Sequence, residues 1–139
     1  MARNAEGLFR QTIKYRDFDI GFGIQPITKD VITLSTQQSI EQSVELLVLT
    51  EYYGRAYKPW LGTPVYSALF ENYSSAILGV LGNKITSYLN QYEPRIRVKE
   101  VNVSSPNDLD ANSLTVSITY VIVGTVGTVD QEILIRRVR

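Results

Sequence analysis

A change of hydrophobic period across "SYLNQYEPRIRVKEVNV" constrains this chain more than any other feature. Upstream, from Ser74 or Ser75, the residues Ile77, Leu78, Leu81, Ile85, Tyr88, Leu89 and Tyr92 recur at the spacing that lays them on one face of a helix. Pro94 ends that helix and pushes Glu93 toward extended backbone. Downstream the period is two. Ile96 and Val98 alternate, then Val101 and Val103 alternate in the opposite phase, which predicts a β-bulge near Lys99 and Glu100.

The remaining segments arrange themselves around this junction. "DFDIGFGIQP" alternates strictly and predicts a strand with Phe18, Ile20, Phe22 and Ile24 on a buried face. Pro26 and "TKD" turn the chain, and Val31 to Leu34 returns as the second strand of a hairpin. Ile40, Val44 and Leu47, broadened by Leu46 and Val48, form the stripe of a first helix. Ser35 and Gln38 are its capping box and Gly54 its stop. Thr63 is placed to cap a short helix starting at Pro64 that carries Val65, Ala68 and Leu69 to the core.

After the junction strand, "SSPNDLDAN" reads as a loop and "SLTVSITYVIV" as a strand with Leu114, Val116, Ile118, Tyr120 and Ile122 inward. Gly124 to Thr128 turns the chain into a last strand, Val129 to Val138. The order is α+β: an N-terminal β-hairpin, helices, then a C-terminal antiparallel three-strand meander packed by the helices. Residues 1–139 are expected to form a single domain, with residues 1–16 loose or ordered by a partner.

Composition excludes whole classes of chemistry. The chain has no Cys and no His, so thiolate or imidazole nucleophiles, the usual zinc sites and disulfides are absent. Fourteen Lys and Arg balance fourteen Asp and Glu, so no global field draws the protein to nucleic acid or an anionic membrane. Neither a signal peptide nor a membrane-length apolar run is visible. Gly21 and Gly23 lie inside a strand pattern without the following glycine and helix of a dinucleotide fingerprint. No cofactor or metal is expected.

Three candidate sites remain. Glu71, Glu93, Asp108 and Asp110 could supply the two carboxylates of a glycosidase, but their spacing selects no pair. Tyr52, Tyr53, Arg55, Tyr57, Lys58 and Trp60 could stack bases above phosphate. In a neutral chain, packing or an aromatic protein interface is the better use of them. Glu93 and Arg95, two apart in extended backbone, project to the same side, where they can meet each other or face a partner together. The residues alone do not choose.

"RAYKPWLG", then "LFEN" at Leu69 to Asn72, then "YEPRI" at Tyr92 to Ile96, resemble the baseplate wedge family of contractile phage tails, which has relatives in type VI secretion baseplates. The similarity spans most of the chain. Ala56 departs from it, since the family usually has proline after the arginine. Some members carry a lysozyme label, for which no acid-pair signature is present here.

The resemblance implies a structural, non-enzymatic subunit in a virion tail baseplate, assembled in the host cytoplasm. It implies one copy per wedge in a sixfold structure, clamping other wedge proteins and giving the tail sheath protein a sheet edge for strand addition. Partner-binding residues implied are Glu93, Pro94 and Arg95, matching the family's conserved triplet, with Tyr57, Trp60, Arg136, Arg137 and Arg139. Neither nucleic acid nor membrane is an implied partner. A partner-facing Arg95 would make Arg95→Ala cost the isolated domain no more than about 1 kcal/mol.

Overall fold

The computed structural model describes residues 14–70, 74–105 and 113–136. The chain enters through a short antiparallel hairpin, β1 (Asp17–Phe18) and β2 (Thr33–Leu34), and continues into helix α1 (Thr36–Leu49). A one-turn helix, α2 (Val65–Ala68), precedes the long helix α3 (Ser75–Tyr92). Three strands follow, β3 (Ile96–Ser104), β4 (Ser113–Ile122) and β5 (Val129–Arg136), in the order β3-β4-β5. The α+β arrangement is the one the periodicities predict.

Helix α3 begins where Ser74 accepts a hydrogen bond from the Ile77 N–H, and it ends at Glu93, before Pro94. Its buried face is Leu81, Gly82, Ile85, Tyr88 and Leu89. Ile77 lies at the exposed margin of the predicted stripe. Gly82 permits a close approach to the sheet, since a Cβ there would sit 3.2 Å from the Val101 carbonyl oxygen.

The bulge falls where the phase change puts it. Val98 pairs with Tyr120 and Glu100 with Thr119, so Lys99 is the inserted residue. On β4, Leu114, Val116, Ile118, Tyr120 and Ile122 are all buried, and β5 adds Ile133 and Ile135. These residues form one cluster with Ile40, Val44 and Val48 of α1, Val65 and Ala68 of α2, and Ile85 and Leu89 of α3. Helices cover one face of the sheet. The opposite face is largely polar, as in the bond from Thr119 Oγ1 to Asp130 Oδ1 at 2.7 Å.

Four local expectations are corrected. The hairpin pairs as predicted, but its alternating apolar residues are not buried: Phe22 is 70% exposed and Ile27 89%. A turn interrupts the strand. The Asp19 carbonyl accepts from the Phe22 N–H, its carboxylate accepts from the Gly21 N–H, and Phe22 takes φ +46. Pairing resumes at the isolated bridge between Ile24 and Val31.

Helix α1 stops at Leu49 and not at Gly54. Thr50 turns extended there, its hydroxyl donating to the Leu46 carbonyl at 2.6 Å. Thr63 does not cap α2. It is buried, its hydroxyl donating to the Val48 carbonyl at 2.6 Å, so it closes the end of α1 instead. Leu46 points away from the core and is partly exposed. The start of α1 is as predicted, with Gln38 Oε1 accepting from the Ser35 N–H and hydroxyl.

Candidate partner-binding site

Glu93 and Arg95 meet each other. Arg95 Nε donates to Glu93 Oε1 at 2.6 Å and Nη2 to Oε2 at 2.7 Å, while the Arg95 backbone N–H reaches Oε1 at 3.3 Å. The exposed Pro94 between them supplies the turn that brings both side chains to one side. Glu93 is 3% exposed, so the pair is an internal one. The expectation that Arg95→Ala costs the isolated domain no more than about 1 kcal/mol is therefore corrected: removing the guanidinium strands a buried carboxylate.

Two serines of α1 complete the arrangement. The Ser43 hydroxyl donates to Glu93 Oε2 at 2.6 Å, and Ser39 Oγ donates to Asp17 Oδ2 at 2.8 Å while accepting from Arg95 Nη1 at 3.5 Å. Arg95 Nη1 also lies 4.0 Å from Asp17 Oδ2, and its guanidinium sits 5.1 Å from the centre of the Tyr15 ring. One ion pair thus ties the α3–β3 junction to α1 and to the chain entering β1. Asp17, Ser39, Ser43 and Tyr15 escaped sequence reasoning. The available signal was "SIEQSV", where two small hydroxyls one helical turn apart each precede a core residue, Ile40 and Val44.

Burial alone would push the Glu93 carboxyl up, but hydrogen bonds from Arg95 and Ser43 outweigh it and hold the group below the ordinary glutamate value. Arg95 is raised in turn, chiefly by its hydrogen bonds to Glu93. A carboxyl held ionised in this way suits a permanent ion pair and not a general acid, which needs a raised pKa. Glu71, Asp108 and Asp110 lie outside the described residues.

The aromatic run forms a loop closed on itself. A parallel bridge joins Glu51 to Thr63 at its neck, the Tyr53 N–H donates to the Pro59 carbonyl at 2.9 Å, and Tyr53 adopts φ +64. At the neck Gly62 has no room for a side chain, since a Cβ would sit 2.3 Å from the Glu51 carbonyl carbon. The loop presents Tyr57, 95% exposed, and Trp60, 61% exposed. It leaves the C-terminal end of α1, whereas the Glu93–Arg95 network grips the N-terminal half. Arg136 is exposed at the end of β5, opposite Ser113. Arg137 and Arg139 lie outside the described residues.

No helix among the described residues is long and apolar enough to cross a membrane. A protein described as a tail lysozyme from Geobacter sulfurreducens has a similar fold, with a TM-score of 0.67 at 20% identity over 78% of this chain and 96% of that one. A chain of the baseplate of the anti-feeding prophage, solved with 6-fold symmetrisation, gives 0.67 at 22% identity over 81% of this chain and 89% of that one. No curated protein matches. Residues 34–126, running from β2 through the turn after β4, match the family model described as baseplate wedge protein gp25. With more than half of its length in that match, the chain belongs to the baseplate wedge protein gp25 family.

Proposed function

We propose that this protein is a non-enzymatic wedge subunit in the baseplate of a contractile phage tail or tail-like particle. In this reading it clamps other wedge proteins and starts the tail sheath by accepting a sheath strand. The family match supports the structural role. The observation that carries the finer reading is the sheet order β3-β4-β5, which leaves the outer edge of β5 unpaired among the described residues. Such an edge is a template for an added strand, with main-chain hydrogen bonds giving affinity and alternate side chains giving selectivity. Arg136, with Arg137 and Arg139, would meet acidic groups on the incoming strand. The exposed Pro94, Tyr57 and Trp60 serve the wedge contacts, with the internal Glu93–Arg95 pair holding the junction that presents Pro94, and copies repeat around a sixfold axis.

Deleting residues 136–139 tests the sheath contact. Wedge binding and the circular-dichroism spectrum are expected to persist while sheath fails to polymerise on the baseplate. Normal contractile sheath on the truncated subunit removes β5 as the docking edge. The similarity to a protein called a tail lysozyme supplies the competing reading, a peptidoglycan glycosidase. Release of soluble glycan from peptidoglycan by the purified protein, abolished in a Glu71→Gln, Glu93→Gln double variant whose circular-dichroism spectrum is unchanged, would replace the structural reading with that one.

A further inference from the structure

We infer that the cleft between α1, the hairpin and β5 is a docking groove for a basic, amphipathic helix of another baseplate protein, an inference that rests on the baseplate reading above. The groove encloses about 540 Å³. Its floor is the stripe of α1 at the margin of the core, where Leu46 is exposed and Leu49 is partly buried against the core cluster. Glu41, Glu45, Leu46 and Leu49 recur there at helical spacing, and Asp19 and Leu34 of the hairpin face them. From β5 comes Gln131, whose amide donates to the Glu41 carbonyl at 3.0 Å and whose Oε1 accepts from the Tyr120 hydroxyl at 3.2 Å. That wall is fixed before any partner arrives.

The lining defines the occupant. Asp19, Glu41 and Glu45 supply three carboxylates, and among the described residues no Lys or Arg lines the groove. The leucines supply an apolar strip between them. A segment that satisfies both carries apolar residues along one face and Lys or Arg beside them. The same charge repels nucleic-acid phosphate and anionic lipid. Among the described residues no group of acidic side chains is disposed to hold a metal ion, which removes a bare cation as the occupant.

The conformation follows from backbone accounting. The floor is a helix whose own N–H and C=O groups are bonded internally, so it offers side chains and few free main-chain partners. Free main-chain partners lie on the outer edge of β5, which the sheath strand takes; an extended segment laid along α1 itself finds none, whereas a helix brings its hydrogen bonds with it. The stripe from Gln38 to Leu49 runs for about three turns, the length of a short docking helix.

The test uses the full chain with p-benzoylphenylalanine at Leu46, or at the exposed Glu45 if the first variant misfolds, co-expressed with the other tail proteins. Assembled baseplates are irradiated and the cross-linked peptide is identified by mass spectrometry. The expected product is a segment of another baseplate protein with helical apolar spacing and at least two Lys or Arg. With the probe at Leu46, Glu41→Lys together with Glu45→Lys should cut the cross-link yield at least ten-fold. A net acidic segment, a second copy of this chain, or intact baseplates with no cross-link each overturn the groove while leaving the baseplate reading standing. Absence of the wild-type chain from purified baseplates overturns both.

Discussion

Glu93 and Arg95 stand on either side of a proline and close a two-pronged ion pair inside the protein, with Nε–Oε1 and Nη2–Oε2 distances of 2.6 and 2.7 Å. Truncating Arg95 leaves the Glu93 carboxylate charged and buried, at a cost of roughly 3 kcal/mol. Arg95→Ala should therefore lower the urea midpoint of the isolated protein and abolish cooperative anchoring of β1. Replacing both residues by methionine should recover much of the loss. Equal stability of Arg95→Ala and wild type in urea would show that the pair is not held as described.

The same pair sets an acid sensitivity. Because the folded Glu93 pKa is depressed, its contribution is fully present above the unfolded value, about 4.3. It is lost as pH falls through the lower folded value, where the native state must also take up the proton. Denaturation midpoints should fall more steeply in wild type than in Glu93→Gln as pH drops below about 4.3 and through the lower folded value, measured by fluorescence of Trp60.

Glycines at two positions should respond in opposite directions. Gly62→Ala drives a Cβ into the Glu51 and Tyr52 backbone at 2.3 to 2.5 Å, which neither strand of the bridge can yield cheaply. A loss of roughly 2 kcal/mol is expected. Gly79→Ala, in the exposed first half of α3 with nothing within 4 Å, should gain about 0.5–1 kcal/mol. Thermal melts of the two variants bracket the wild type if the neck of the aromatic loop is as tight as it stands.

Tyr57→Ala with Trp60→Ala removes surface without touching the core, so stability should change by less than about 0.5 kcal/mol. Pull-down of the other wedge proteins should fail nonetheless, since large aromatic side chains dominate interface energetics. Retained co-purification would leave the loop without a partner role.

Legibility in the sequence tracked how local the determining physics was. The phase flip between Val98 and Val101 dictated a bulge because both pairs had to reach one core, and Lys99 is the residue that gives way. Helix α3 and the inner face of β4 were legible for the same reason. The hairpin was not: strict alternation from Phe18 to Ile24 announces a half-buried strand, but burial needs a surface to pack on, and among the described residues no helix covers Phe18, Phe22 and Ile24. Thr63 stands next to a helix start, but the stronger demand on its hydroxyl comes from the carbonyl at the end of α1, fifteen residues earlier in the chain. The internal closure of Glu93 on Arg95 depended on Ser39 and Ser43, fifty or more residues away, and no local pattern encodes that distance.

The uncovered hairpin bears on the life of the protein before assembly. Phe18, Phe22, Ile24 and Ile27 leave a chain released from the ribosome with a sticky, solvent-facing arm. Exposed apolar side chains gathered on one short segment promote self-association, which grows with concentration. A copy without a partner thus has a ceiling on how much can accumulate, and supply of the subunit becomes tied to supply of whatever shields the arm. Overexpression alone should meet that ceiling as precipitation, and matched expression should lift it.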